Sequence, residues 1–143
     1  MTTYEFLDPH HLTEDDVADI NRLLPQLTPS PAVVDLTHII EVAKLSAALV
    51  VRDEHGRIQG TATLCSIDAL TGHSGFITNV VVDESWRGRG IGEAFVKQLV
   101  TLAQFQSMHH LELTSNSARV AANHLYQKLG FRQRPTNHYL MLL

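Results

Sequence analysis

Apolar residues along the chain alternate between the two-residue period of strands and the longer period of helices. Apolar and alternating runs predict strands at residues 3–7, 47–51, 58–67, 76–82, 111–114 and 138–143. Helical spacing predicts helices at residues 13–24, 32–43, 90–106 and 118–129, the first with Thr13 as N-cap and the last stopped by Gly130. Pro25, Pro29 and Pro31 are expected to end the first helix, and residues 68–74 to form a loop.

The order of these elements predicts an α/β fold. A strand, a helix and a strand over residues 76–114 imply a parallel pair with a right-handed connection. The turn at Gly56 instead predicts an antiparallel hairpin between its flanking strands. Without repeats, low-complexity segments or linkers, the 143 residues are expected to form one domain, residues 1–143.

Composition narrows the class of protein. Hydrophobic residues at 44%, charged residues at 18% and a net charge of −4 are typical of a soluble globular domain, and they argue against a general binder of nucleic acid or membrane surfaces. No signal peptide or membrane span is visible in the sequence. The single cysteine, Cys65, lies in a predicted strand and is expected to be buried, which favours a reducing, cytoplasmic setting.

The segment from residue 76 to residue 95 predicts an anion site. An apolar strand ends at Asp83-Glu84, and an arginine- and glycine-rich loop then leads directly into an amphipathic helix. The first turn of a helix presents N–H groups without intrahelical partners, and glycines let a phosphate approach the backbone closely. Arg87 and Arg89 add positive charge. The sequence therefore predicts a diphosphate-bearing ligand at residues 87–93.

Other phosphate motifs fit this loop poorly. A Walker A loop requires Lys followed by Ser or Thr after its last glycine, whereas Gly92 is followed by Glu93 and Ala94. The dinucleotide fingerprint requires GxGxxG, and the glycines here stand at 88, 90 and 92. A tight strand–helix connection without a ligand is the remaining alternative for the loop taken alone.

Two separated motifs resemble those of the GNAT superfamily of N-acetyltransferases. The loop Arg87-Gly-Arg-Gly-Ile-Gly92 is similar to the family's R/Q-x-x-G-x-G/A motif. The segment Ala121-Ala-Asn-His-Leu-Tyr-Gln-Lys-Leu-Gly-Phe131 resembles its second signature, a helix that ends in L-Y-x-K-L-G-F. Together they cover residues 76–131. The resemblance implies a mixed, mostly antiparallel sheet with a central parallel pair splayed to admit CoA, flanked by about four helices.

The resemblance also implies acetyl-CoA as the donor and assigns its contacts. The central strand would hold the pantetheine arm by its backbone, and the loop would hold the pyrophosphate. Arg119 stands where many relatives carry asparagine and would contact a CoA phosphate, or else be a solvated first-turn residue. The implied cofactor-binding residues are Val80, Val81, Val82, Arg87, Gly88, Arg89, Gly90, Ile91, Gly92, Glu93 and Arg119.

Tyr126 is the catalytic residue that the resemblance implies. Relatives use a tyrosine here to protonate the departing CoA thiolate, and a phenol with a pKa near 10 is protonated at neutral pH. Alternatively, Tyr126 packs on a helical face beside Leu125 and Leu129. The implied reaction moves acetyl directly to a primary amine of a small molecule, peptide or protein. The alternative function is a CoA-binding sensor or partner module without turnover.

The proton acceptor is left open by the sequence. Positions where many relatives carry an acidic residue hold Thr78, Asn79 and Thr114. His110 and Glu112 share one strand face by alternation, so either is an alternative base, and a water held by Thr78 or Asn79 is another. Thr78 and Asn79 are therefore the predicted acceptor-side residues.

The histidines and the apolar C-terminal segment bear on metal binding and self-association. The chain has nine histidines, but none lies in an HxH or HExxH pattern, and no metal is expected. The apolar segment at residues 139–143 suits either a core strand or the interface of a homodimer.

Overall fold

The computed structural model describes residues 2–143. They form two compact units, one ending at Leu113 and the other comprising Thr114–Leu143. The prediction of one domain over residues 1–143 stays a prediction. The strands are β1 (Thr3–Phe6), β2 (Ala47–Arg52), β3 (Ile58–Ala69), β4 (Gly72–Val82) and β5 (Leu111–Leu113), and the helices are α1 (Glu14–Leu27), α2 (Leu36–Leu45), α3 (Ile91–Phe105) and α4 (Val120–Lys128).

The first unit contains a five-stranded sheet in the order β1-β2-β3-β4-β5, with β1 at one edge. The first three pairings are antiparallel, and β4 pairs with β5 in parallel across the α3 crossover. Helices α1 and α2 cover one face, where Leu23 and Ile39 pack with Val50 and Val81. The other face packs against α3, since a Cβ added at Gly60 would lie 3.2 Å from Phe95. The mixed fold that the sequence predicted is confirmed.

A bulge in β4 exchanges the faces of its side chains. Thr63 lies opposite Thr78 and Thr61 lies opposite Val81, so two residues of β4, Asn79 and Val80, oppose one residue of β3. Before the bulge Ile77 shares a face with Leu64, and after it Val81 shares the opposite face with Thr61. Both Ile77 and Val81 are buried because helices cover both faces of the sheet.

Thr13 begins α1 as predicted. Its hydroxyl accepts from Asp16 N at 3.2 Å, and Asp16 Oδ2 accepts from Thr13 N at 3.1 Å, which is a capping box. The prediction that Pro25 ends this helix is wrong. Pro25 lies inside α1, close to its C-terminus, and Thr28 N still donates to Leu24 O at 3.1 Å. A proline so near the end removes one intrahelical donor without interrupting a long ladder.

Several other boundaries differ from the sequence predictions. The predicted helix at 32–43 begins later, at Leu36, because Asp35 caps it by accepting from His38 N at 2.8 Å. The predicted loop at 68–74 is a hairpin, in which Ala69 pairs with Gly72. The helix predicted at 118–129 is the shorter α4, and Gly130 follows it with φ +100°. Cys65 is half-buried rather than buried, with its sulfur 3.6 Å from Ser46 Oγ.

The strand predicted at 138–143 is absent. Within the described part of the chain, these residues form neither helix nor strand, and Tyr139 and Leu143 are exposed. A strand requires a neighbour for its N–H and C=O groups, and no described residue pairs with this segment. Apolar alternation alone therefore overpredicted a strand here.

Candidate active site

The sheet opens along the second half of β4. The parallel ladder joins Gly75, Phe76 and Ile77 to β5 and stops at Ile77, although β4 continues to Val82. On the other side of β4, the ladder to β3 reaches Val82. Residues 78–82 therefore have no β-strand partner on the β5 side among the described residues. Such a free strand edge offers backbone donors and acceptors to an extended ligand.

Asn79 gives this open edge an unusual backbone. Its φ of +54° is in the left-handed region, where asparagine is the best tolerated residue after glycine. It lies at the bulge, is exposed, and is followed by half-buried Val80. A bulge disrupts the ladder locally and leaves an extra residue unpaired, and Asn79 and Val80 are the two residues of this bulge.

The predicted strand–loop–helix order is present at the end of β4. A 3₁₀ turn, Glu84–Trp86, leads to Gly88 and Gly90, whose φ values are +78° and +75°. Helix α3 then begins at Ile91, and its first intrahelical bond runs from Ala94 N to Gly90 O at 3.0 Å. The amides of Ile91 and Gly92 precede that bond and carry the positive end of the helix dipole. A Cβ at Gly88 or Gly90 would meet nothing within 4 Å, so the loop surface is open.

The two arginines of the loop differ in their contacts. Arg87 turns back onto the strand, since its Nε donates to Val82 O at 3.0 Å. Arg89 lies over the ring of Trp86, with its guanidinium carbon 4.4 Å from the ring centroid. Glu93, in the first turn of α3, pairs with Lys97 at 3.0 Å. Arg89 is therefore the loop arginine whose guanidinium is not bound to the strand.

Asp83 fixes the start of the loop. Its Oδ1 accepts from Arg22 Nη1 and, at 3.0 Å, from Gln26 Nε2, while Oδ2 accepts from Ser85 N at 3.0 Å and from Ser85 Oγ. Burial on its own raises the pKa of Asp83, but the hydrogen bonds from Ser85 and Gln26 and the charge of Arg22 lower it to about 2. Sequence reasoning missed Arg22 and Gln26, because about sixty residues separate them from the loop and no local pattern links them.

Acid is expected to destabilise the protein through Asp83. Its pKa of about 2 lies below the ordinary 3.8, so the carboxylate contributes stability that is complete above pH about 4 and is lost as pH falls towards 2. The contribution is about 2.5 kcal/mol, since the pKa falls from 3.8 to about 2 and one pKa unit corresponds to about 1.4 kcal/mol. Urea unfolding of the wild type and of Asp83→Asn between pH 2 and 7 should show a stability gap that closes below pH about 4. A gap that stays constant with pH would contradict this.

The second unit contains Tyr126 and Arg119. Tyr126 is buried, with 8% of its surface exposed, and its ring meets that of Phe131 edge-on at 6.1 Å. Burial raises the pKa of the Tyr126 phenol, and the charge of Arg119 opposes this without cancelling it, so the phenol is protonated at neutral pH. Arg119 is an exposed residue at the N-terminus of α4. Its carbonyl accepts from Asn123 Nδ2 at 2.9 Å.

Ser115 is a residue that sequence reasoning missed. Its Oγ is the one buried side-chain oxygen or nitrogen in residues 2–143 without a hydrogen-bond partner. Leaving a buried hydroxyl unsatisfied costs about 1–3 kcal/mol. A lone serine after a short strand carries no signal in the sequence.

The alternative bases lie in the first unit. His110 Nε2 is 3.9 Å from Glu112 Oε2, in agreement with the prediction that the two share a face. Thr78 is half-buried on β4 beside exposed Asn79. Among residues 2–143, no three His, Cys, Asp or Glu side chains come together as metal ligands. No helix in the same described range is long and apolar enough to span a bilayer.

Comparison with known proteins identifies the family to which this chain is similar. Residues 16–131 match the Acetyltransferase (GNAT) family. A glucosamine 6-phosphate N-acetyltransferase of Trypanosoma brucei brucei is 31% identical over 140 residues, which cover 92% of this chain and 93% of that protein. Glucosamine 6-phosphate N-acetyltransferase 1 of Oryza sativa subsp. japonica is 30% identical over 133 residues, which cover 83% of this chain and 79% of that protein.

Solved structures agree with these matches. The crystal structure of an acetyltransferase of Trypanosoma brucei has a TM-score of 0.81 at 27% identity, over 99% of this chain and 100% of that one. A predicted acetyltransferase of Clostridium acetobutylicum, crystallised with acetyl-CoA, shares the fold. Its TM-score is 0.72 at 23% identity, over 100% of this chain and 96% of that one.

The chain therefore belongs to the GNAT family of acetyltransferases. It is an acyl-CoA-dependent N-acetyltransferase, as the two sequence motifs predicted, and the alternative of an inactive CoA-binding module is not favoured. The fold is that of a family that uses acetyl-CoA.

Proposed function

We propose that this enzyme transfers the acetyl group of acetyl-CoA to the amine of a small phosphorylated amino sugar, glucosamine 6-phosphate. The observation that carries the donor half is the open edge of β4, which leads through the 3₁₀ turn Glu84–Trp86 into the glycine loop, residues 87–92, and the N-terminus of α3. The acceptor half is supported by the two glucosamine 6-phosphate N-acetyltransferases that match most of the chain.

The donor would bind along the open edge. Pantetheine amides would pair with the backbone of Val80, Val81 and Val82, which lacks a strand partner there. The pyrophosphate would accept hydrogen bonds from loop amides, where the helix dipole and Arg89 favour negative charge. The proposed loop contacts are Arg87, Gly88, Arg89, Gly90, Ile91, Gly92 and Glu93, and we propose a CoA phosphate as the partner of Arg119.

The chemistry proposed at this site is direct transfer. The neutral amine nitrogen of the acceptor attacks the thioester carbon, and the N–H of Val80 stabilises the oxyanion that forms. When the intermediate collapses, the C–S bond breaks and Tyr126 gives its proton to the thiolate. The proton released by the amine passes to a water held by Thr78 or Asn79, which both lie on the open half of β4.

A thiol-release assay tests the acceptor. Glucosamine 6-phosphate is expected to exceed glucosamine in kcat/KM by at least tenfold, because a phosphate adds charge-assisted hydrogen bonds worth about 1.5–3 kcal/mol. Aminoglycosides and a lysine peptide serve as other amines. Equal rates for the sugar with and without phosphate, or faster turnover of the peptide, would refute this acceptor.

We also propose that two copies associate through residues 139–143. These five consecutive residues, a tyrosine, a methionine and three leucines, are each at least 79% exposed. Monomeric proteins rarely leave a contiguous apolar stretch in water. Sedimentation equilibrium should give a dimer for the full chain and a monomer for a chain ending at residue 138; a full chain that sediments as a monomer would exclude the association.

A further inference from the structure

Side chains in the C-terminal part of α1 form hydrogen bonds to the chain just before the glycine loop. Arg22 and Gln26 lie one turn apart on the same face of the helix. Both donate to Asp83 Oδ1 at the end of β4. Arg22 Nη2 also donates to Ile58 O at 2.7 Å, which ties the same point to β3. The end of β4 is thus held by side chains of a helix that supplies no residue of the glycine loop.

Gln26 uses both ends of its amide. Its Nε2 donates to Asp83 Oδ1 at 3.0 Å, while its Oε1 accepts from Glu84 N at 2.9 Å and from Arg87 Nη2 at 3.4 Å. Arg87 in turn donates to Val82 O at 3.0 Å. One side chain of α1 therefore touches residues before, within and after the 3₁₀ turn that precedes Gly88.

We propose that Arg22 and Gln26 are positioning residues for the donor: they hold the glycine loop in its ligand-accepting shape without touching the ligand. This rests on the proposed function, in which the loop binds the pyrophosphate. Gly88 and Gly90 permit many backbone conformations, and ordering such a loop on binding costs affinity. A loop already fixed at its base binds more tightly because less freedom remains to be lost.

The other ion pairs of α1 provide a matched comparison. Arg52 Nη1 donates to Asp16 Oδ1 at 2.7 Å and to Gly56 O at 2.8 Å, which joins the same helix to the sheet. Its hydrogen-bond acceptors are Glu5, Asp16 and Gly56, which include no acceptor of Arg22 or Gln26 and no residue of the glycine loop. Loss of Arg52 therefore weakens the attachment of α1 to the sheet and leaves the hydrogen bonds from Arg22 and Gln26 to Asp83 intact.

The experiment compares Gln26→Met, Arg22→Met and Arg52→Met. Methionine keeps an unbranched apolar stem and, in α1, a high helical propensity, but it removes the hydrogen bonds. Calorimetric titration should show the Kd for acetyl-CoA rising about tenfold in Gln26→Met and at least as much in Arg22→Met. In Arg52→Met it should change less than twofold even though Tm falls. With saturating acetyl-CoA, kcat and the KM of the amine should stay within twofold of wild type in Gln26→Met.

If the Kd for acetyl-CoA rises in proportion to the fall in Tm in all three variants, the proposal is overturned, since the loss of affinity would then reflect general destabilisation. An unchanged Kd in folded Gln26→Met would overturn it as well. If Arg22→Met does not fold, Gln26→Met decides alone. Failure of the proposed function is distinct: there, wild-type protein would not bind acetyl-CoA, or a bulky residue at Gly90 would leave binding unchanged.

Discussion

Replacement of Gly90 by valine is expected to weaken acetyl-CoA binding at least about 100-fold, equivalent to about 2.8 kcal/mol. Gly90 has φ +75°, a conformation that costs about 1–2 kcal/mol for residues with a Cβ and more for β-branched ones. The new side chain would also extend into the open space where the pyrophosphate is proposed to approach the amides of Ile91 and Gly92. Calorimetric titration of CoA and acetyl-CoA measures the effect.

Gly56 offers the matched control for this substitution. It has φ +78°, and a Cβ there would also meet nothing within 4 Å, but it lies in the β2–β3 turn. Gly56→Val should therefore lower Tm about as much as Gly90→Val and bind acetyl-CoA with nearly wild-type affinity. If both variants lose affinity equally, the effect is one of folding, and the loop assignment fails.

Replacement of Tyr126 by phenylalanine should lower kcat about 10²–10⁴-fold, the range that a positioned proton donor supplies. The ring contact with Phe131 remains, so affinity for acetyl-CoA should stay within about twofold. The phenol is suited to donate because burial raises its pKa, so it is still protonated in mildly alkaline solution. Steady-state rates with saturating donor and acceptor measure the loss.

Tyr4 controls for removal of a phenolic hydroxyl elsewhere. It contacts Phe95 edge-on at 5.7 Å, and burial raises the pKa of its phenol too. Tyr4→Phe should leave kcat within twofold of wild type. If Tyr126→Phe retains full turnover, or loses donor affinity instead, then Tyr126 is a packing residue and another group protonates the thiolate.

Local signals made much of the fold predictable. Thr13 with Asp16 three residues later is a complete capping box, and Gly90 before an apolar stripe begins α3 where the sequence indicated. The strand–loop–helix order around Gly88 and Gly90 was predictable for the same reason, because it is encoded within a few consecutive residues, and the anion site expected there stays a prediction. The catalytic role predicted for Tyr126 rests only on its motif, since a helical tyrosine carries no chemical signal of its own.

Features that depend on distant residues were not predictable. The bulge at Asn79 depends on how β3 and β4 pair, and alternation within β4 does not report it. The hydrogen bonds to Asp83 come from Arg22 and Gln26, which lie 61 and 57 positions earlier in the sequence. Residues 138–143 show the opposite error, since their apolar pattern predicts a strand for which the described residues supply no partner.

The β4 bulge determines how this strand responds to a change in its length. Deleting one residue at position 79 or 80 would leave a single residue opposite Ala62, so Thr78 would stay opposite Thr63 and Val81 would stay opposite Thr61. The buried faces of β4 and the ion pair between Asp83 and Arg22 would be preserved, whereas the bulge would be lost from the open edge. A single-codon deletion at this point would thus alter the open edge and leave the core and the base of the loop in place.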